Sequence, residues 1–146
     1  ILDIHDESTA DIKGCDALCC ALQILNHIQD CGKDYRELGR VYLPEAWVLE
    51  AGGQIEHLSY NKLTPELRLV LDQCLNRTKE LLLRAEKVAP TIKRRGLRME
   101  FMFILYLAQS LHHKLMYQDP LASNVKVDKS MWLLYAFRSI FRTWIR

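Results

Sequence analysis

Four polar residues recur along one segment of the chain at spacings of three, four and four residues: Gln23, Asn26, Asp30 and Asp34. If the segment is helical, a rotation of about 100° per residue places all four in one narrow stripe. Asp30 and Asp34 then stand one turn apart, where like charges repel each other in an isolated helix. Paired hard oxygen ligands favour a divalent cation, and Mg²⁺ commonly takes one or two carboxylates together with substrate phosphates. The stripe predicts a Mg²⁺ site for a phosphorylated ligand.

Three basic residues, Lys33, Arg36 and Arg40, follow the two aspartates and could neutralise the remaining phosphate charge. The alternative interpretation is that the polar stripe is the solvated face of an amphipathic helix. Residues 17–28 contain no Lys, Arg, Asp or Glu, whereas solvated helix faces usually carry them. Apolar residues also cover a wide arc of the same segment. We therefore expect the stripe to line a cavity.

Helix-start and helix-stop residues along the chain predict an all-α fold in a single domain, residues 1–146. Proline suits the first turn of a helix, and glycine suits the position after its end. No segment shows the alternation of a β-strand. The predicted helices cover residues 16–36, 44–52, 64–90, 96–117 and a fifth from about residue 128.

Length, charge and cysteine usage narrow the class of protein. The chain has 146 residues and a net charge of +2, which is too balanced to indicate nucleic acid as the main partner. Its five cysteines favour reduced thiols in a cytoplasmic protein, and we expect Cys15, Cys19 and Cys20 to be buried small residues rather than a zinc site with His27. The longest apolar run, 101–108, is far short of the ~20 residues that span a bilayer. A first residue other than Met predicts a processed product or a fragment.

Two stretches of the sequence together resemble the second aspartate-rich region of the squalene/phytoene synthase family. They read ALQILNHIQDCGKDY at 21–35 and GRVYLP at 39–44. The family pairs a Gln-x-x-Asn-x-x-x-Asp-x-x-x-Asp helix with a downstream Arg-x-Tyr-apolar-Pro segment, and both are present at matching spacing. The Asn-His-Ile-Gln-Asp-Cys variant, and the later Gln-Asp-Pro-Leu at 118–121 ahead of Lys129, are similar to the bacterial hydroxysqualene synthase branch. Many family members have Arg where Gln29 stands.

The resemblance implies an isoprenoid-synthase-type helical bundle that holds Mg²⁺ on a prenyl diphosphate in a central cavity. It implies that Asp30 and Asp34 bind the metal and that Gln23 and Asn26 support the cluster of metal and diphosphate. Arg40 is implied as a diphosphate contact, and Tyr42 as a catalytic-site residue in the cavity wall. Phe101, Phe103 and Tyr106 are either pocket-lining residues or ordinary core.

The reaction that the resemblance implies is conversion of presqualene diphosphate to hydroxysqualene with release of diphosphate. Two alternatives stay open: head-to-head condensation of farnesyl or geranylgeranyl diphosphate, and a non-catalytic helical scaffold. The resemblance covers the C-terminal half of the family's enzymes, and the first aspartate-rich motif is not in this chain. The expected partners are therefore a prenyl diphosphate and either the missing N-terminal half or a second copy of the chain.

The last predicted helix carries a basic stripe of Arg138, Arg142 and Arg146 beside several aromatic residues. Basic and aromatic residues on one helix are typical of helices that lie at a membrane surface. The alternative is a terminal helix packed on the core with its arginines in water. The sequence thus predicts a cytoplasmic protein, with peripheral contact at the inner face of the membrane as a hypothesis.

Overall fold

A computed structural model describes residues 9–127, 134–136 and 138–141 of the chain. Within these residues all regular structure is helical, which confirms the all-α prediction. Residues 134–136 and 138–141 are helical as well. The elements in chain order are α1 (Thr9–Leu38), α2 (Glu45–Glu50), a 3₁₀ helix (Ile55–Ser59), α3 (Pro65–Val88), a second 3₁₀ helix (Ala89–Thr91) and α4 (Arg95–Tyr117).

Helix α1 is longer than predicted, because it begins seven residues before the expected start at residue 16. Gly14 lies within it and is buried. A Cβ atom at this position would lie 2.2 Å from Cγ2 of Val88, so the close approach of the end of α3 requires a glycine here. Glycine lowers the intrinsic stability of a helix, but at this position it allows α1 and the end of α3 to pack closely.

Gly39 and Thr64, which the sequence analysis assigned to helix boundaries, cap helices in the structure. Gly39 follows α1 with φ of 65°, and its N–H donates to the carbonyl of Tyr35 at 3.0 Å, as in a left-handed helix cap. Thr64 precedes α3, and its hydroxyl accepts a hydrogen bond from the N–H of Leu67 at 3.3 Å. These two helix boundaries therefore follow from short-range rules.

The tertiary contacts divide the chain into two compact units, each built from separate stretches of sequence. Unit 1 comprises the described residues within Ile1–Leu22, Lys79–Ser110 and Val127–Arg146; unit 2 comprises Gln23–Thr78 and Leu111–Lys126. The assignment of residues 1–146 to one domain stays a prediction. Unit 2 encloses a core whose buried members are Cys31, Leu43, Val48, Leu58, Leu67, Val70 and Leu121.

Most of the predicted fifth helix lies outside the described residues, including Arg142 and Arg146. Arg138 is described and exposed, and its guanidinium carbon lies 4.8 Å from the centre of the Tyr106 ring. This geometry is that of a cation–π contact within unit 1. None of the helices among the described residues is both long and apolar enough to cross a bilayer.

Candidate functional site

The polar stripe of the sequence lies on α1 within unit 2. Gln23 and Asn26 are exposed, and Asp30 and Asp34 are half-buried. Leu25, Ile28 and Cys31, which alternate with the stripe, are almost completely buried. The helix thus turns its apolar face to the protein and leaves the four polar residues accessible to a ligand.

The turn after α1 brings Tyr42 back alongside the helix. Gly39 adopts a left-handed conformation, and the next N–H, that of Arg40, donates to the carbonyl of Asp34 at 3.2 Å. The chain therefore reverses, and the Tyr42 hydroxyl donates a hydrogen bond of 2.7 Å to Oδ2 of Asp34. Two residues that the sequence placed in one site, eight positions apart, are in direct contact.

Arg40 is exposed and lies beside the contact between Tyr42 and Asp34. Its guanidinium forms a hydrogen bond with the Tyr42 side chain, and this bond is the main reason that the pKa of Arg40 is raised above its usual value. The charge of the nearby Asp34 carboxylate raises the Arg40 pKa further. Arg36 instead points to unit 2's own backbone and donates to the Tyr60 carbonyl at 3.3 Å. Of these two arginines, Arg40 is thus the one that lies beside Tyr42 and Asp34.

His27 belongs to the same group, although the sequence suggested no such role. Its ring stacks on that of Tyr42, with centroids 4.2 Å apart and planes inclined by 25°. The spacing of seven residues between His27 and Asp34 was the available signal, because it places both on one side of a helix. That signal becomes informative only when the position of Tyr42 is known.

The opposite side of α1 is held by the loop that follows α4. Leu121 packs so closely on Gly32 that a Cβ atom there would lie 2.3 Å from Cδ2 of Leu121. Asp119 shapes this loop, because its Oδ1 accepts hydrogen bonds from the N–H groups of Leu121 (2.8 Å) and Ala122 (3.3 Å). Its Oδ2 accepts another from the N–H of Leu63 at 2.8 Å. The Gln-Asp-Pro-Leu segment therefore acts as a support for the aspartate helix.

Gln29 also ties this loop to α1. Its amide nitrogen donates to the carbonyl of Val125 at 2.5 Å, and Val125 is buried. At the position where the resemblance implies Arg in many family members, the Gln29 amide thus makes a contact with the backbone.

The prediction that Cys15, Cys19 and Cys20 are buried is wrong for Cys19 and Cys20, and Cys15 is half-buried. Cys31 is buried, and burial raises the pKa of its thiol to about 12. Cys19 and Cys20, however, are exposed rather than buried. Sequence reasoning expected burial because all three cysteines lie on one predicted helix, but helix periodicity does not show how far neighbouring elements cover each side chain; Cys19 lines an open cavity of unit 1. In the part of the chain that the structure describes, no three His, Cys, Asp or Glu residues converge as a metal site.

Unit 1 contains a separate cavity of about 450 Å³ between the first half of α1 and the first half of α4. Its wall is mainly apolar and includes two thiols and two carboxylates. Phe101 lines it, as one interpretation of the sequence expected, whereas Tyr106 is buried beside Tyr135 with ring centroids 5.9 Å apart. The lining residues are Ile12, Cys15, Asp16, Leu18, Cys19, Leu22, Leu97, Glu100, Phe101 and Ile104.

Comparison with known proteins identifies the family of the chain. The sequence profile of the squalene/phytoene synthase family matches residues 1–137, and the chain therefore belongs to that family. It is similar to the hydroxysqualene synthase of Rhodopseudomonas palustris, with 39% identity over 137 residues, which cover 94% of this chain and 47% of the relative. The hydroxysqualene synthase of Zymomonas mobilis is 37% identical over 94% of this chain and 46% of its own length.

A third hydroxysqualene synthase, from Sinorhizobium fredii, is 34% identical over 92% of this chain and 46% of its own length. The chain thus spans about half the length of the curated relatives that it matches. No solved structure is significantly similar to it. Family membership supports a role in isoprenoid biosynthesis.

Proposed function

We propose that this chain carries one metal-binding helix of a Mg²⁺-dependent enzyme that converts presqualene diphosphate to hydroxysqualene and diphosphate. One observation carries the proposal: two carboxylates one turn apart on α1, with Asp34 held by Tyr42 at 2.7 Å and Asp30 free of hydrogen bonds from the described residues. The similarity to three hydroxysqualene synthases supports the choice of reaction.

The oxygen atoms on this stripe fit Mg²⁺. The ion is a hard cation that is bound through one or two carboxylates together with waters and substrate phosphates. Asp30 and Asp34 supply the carboxylates, and no third protein ligand of the usual kinds converges on them among the described residues. We therefore expect the metal to bind together with diphosphate, which would complete its coordination.

The reaction needs a stabilised leaving group. The carbon–oxygen bond breaks with its electron pair on diphosphate, and the rearranged carbocation takes up water, which then loses a proton. Mg²⁺, when bound, would supply the positive charge that lowers the energy of the departing diphosphate. Arg40 would bind a diphosphate oxygen, and the amide N–H groups of Gln23 and Asn26 would donate hydrogen bonds to others. Asp30 and Asp34 would fix the position of the metal.

The rest of the site would come from elsewhere. In the family resemblance a second aspartate-rich helix completes the metal site, and we propose that it is supplied by the other half of the enzyme or by a second copy of the chain. A cytoplasmic location with peripheral membrane contact through the last helix is part of the same proposal.

The experiment is a calorimetric titration of the complete gene product with inorganic diphosphate, with and without Mg²⁺. We expect binding that requires both components, followed by release of hydroxysqualene when presqualene diphosphate replaces inorganic diphosphate. Squalene or phytoene formed from farnesyl or geranylgeranyl diphosphate would favour condensation instead. Absence of any binding would contradict the proposal and leave a helical scaffold.

A further inference from the structure

Three side chains of unit 2 form a connected series beside the proposed metal site. The ring of His27 stacks on the ring of Tyr42 at 4.2 Å between centroids, and the Tyr42 hydroxyl reaches Oδ2 of Asp34 at 2.7 Å. His27 and Asp34 lie two turns apart on one side of α1, and Tyr42 returns over them after the Gly39 turn. Tyr42 therefore spans two turns of the helix, with its ring at one end and its hydroxyl at the other.

We propose that His27 is a positioning residue, which holds the Tyr42 phenol in the orientation that fixes Asp34 for the metal. This proposal rests on the metal-binding function proposed above. Tyr42 is partly buried and packs against the core of unit 2. The His27 ring stacks on its ring. A tyrosine side chain held by both contacts has little freedom to turn about its first torsion angle, so its hydroxyl stays at Asp34.

The fixed hydroxyl has a consequence for Asp34. It occupies Oδ2 and defines the plane of the carboxylate, which leaves the other oxygen for a cation. Residues that hydrogen-bond a metal-ligating carboxylate typically change metal affinity or activity by about 10- to 100-fold when removed. His27 acts one step further away, through Tyr42, so its loss should have a smaller effect of the same kind.

The test measures the Mg²⁺ concentration that gives half-maximal binding of inorganic diphosphate to the complete gene product. We expect Tyr42→Phe to raise it by about 10- to 100-fold. His27→Ala should raise it by about 2- to 10-fold, the loss expected for one stacked ring pair, and His27→Phe should restore the wild-type value. The double variant His27→Ala/Tyr42→Phe should bind no more weakly than Tyr42→Phe alone, because His27 has no hydroxyl left to position.

The chain offers a matched control in His113, whose ring contacts that of Tyr117 at 5.0 Å with planes inclined by 51°. Loss of this ring in His113→Ala removes a histidine–tyrosine contact without touching the stripe, and it should leave Mg²⁺-dependent binding unchanged. An additive double variant, or an equal effect of His113→Ala and His27→Ala, would overturn the positioning role.

A second measurement separates this proposal from the proposed function. The carbon-13 signal of the Tyr42 ring, assigned by its loss in Tyr42→Phe, should shift in both His27→Ala and Asp34→Asn without metal or diphosphate. If the wild-type protein fails to bind Mg²⁺ with diphosphate, the proposed function fails, whereas an unshifted Tyr42 signal in His27→Ala overturns the inference about His27 alone.

Discussion

Asp34 and Asp119 are both half-buried carboxylates of unit 2, but the protein uses their oxygens in opposite ways. Asp119 accepts three backbone hydrogen bonds, two from its own loop and one from Leu63, so both of its oxygens are engaged. Asp34 accepts one, from the Tyr42 hydroxyl, and Asp30 accepts none from the described residues.

This difference separates a structural acid from an acid available to a ligand. A carboxylate that satisfies several backbone N–H groups fixes a turn, because each lost bond would leave a donor without a partner. A carboxylate beside a second negative charge raises the free energy of the fold through repulsion, and a bound cation would remove that repulsion. The two regions meet on α1, where the Asp119 loop supports one side through Leu121 and Gly32 while the opposite side carries Asp30 and Asp34.

The largest effect should follow from substituting Asp30 and Asp34, the acids available to a ligand. In the complete gene product, Asp30→Asn and Asp34→Asn should each reduce turnover of presqualene diphosphate by on the order of 10²–10³-fold, as expected for one lost contribution to leaving-group stabilisation. The free energy of unfolding should stay the same or rise slightly, since a repelling pair is removed. Steady-state kinetics and denaturant unfolding check the two parts; unchanged turnover in both variants would show that neither acid holds the metal.

The next largest effect should follow from substituting Asp119, the structural acid. Asp119→Ala removes the acceptor for three backbone N–H groups, and we expect a loss of about 2–3 kcal/mol in the free energy of unfolding, given the cost of unsatisfied donors. Asp119→Asn keeps one acceptor oxygen and should recover part of the loss. Urea denaturation of both variants measures this. If Asp119→Ala unfolds at the same urea concentration as the wild type, the loop does not depend on this carboxylate.

A smaller effect should follow from filling the space between the two regions. Gly32→Ala places a Cβ atom against Leu121, and overpacking of about 1–3 kcal/mol exceeds the gain of up to ~1 kcal/mol from better helix propensity. Gly96 in α4 is the matched control, because a Cβ atom there meets nothing within 4 Å. Thermal unfolding should show Gly32→Ala destabilised and Gly96→Ala unchanged or stabilised. Equal stabilisation of both would mean that Leu121 moves aside freely.

The sequence predicted those features of the structure that depend on residues close together along the chain. The helix end at Gly39, the cap at Thr64 and the shared stripe of Asp30 and Asp34 follow from spacing and residue type alone. Contacts between distant segments could not be predicted in this way, and Arg68 is the clearest case. Besides a local ion pair with Asp72, its guanidinium donates to distant carbonyls at the end of α4, those of Leu115, Met116 and Gln118.

The same limit applies to the candidate site. Periodicity placed its aspartates on one face, but the position of Tyr42 depends on a chain reversal, and that of His27 depends on where Tyr42 arrives. The exposure of Cys19 and Cys20 was missed for the same reason, because the apolar arc of α1 does not show which part of the arc another helix covers. The short 3₁₀ helix at Ile55–Ser59 carries too few residues for a periodic signal.

The smallest effect concerns another acid, Glu66, which lies in the first turn of α3. A hydrogen bond from its own backbone N–H, then one from the Thr64 hydroxyl, lower the pKa of Glu66 below its usual value near 4.5. A carboxyl with a lowered pKa in the folded state stabilises the fold above its unfolded pKa, and this contribution is lost as the pH falls through the folded value. Glu66→Gln should therefore lower the thermal midpoint at pH 7 by no more than a few degrees. The difference from the wild type should shrink as the pH drops below 4.5, and a difference that persists under acid would assign the effect to side-chain packing rather than charge.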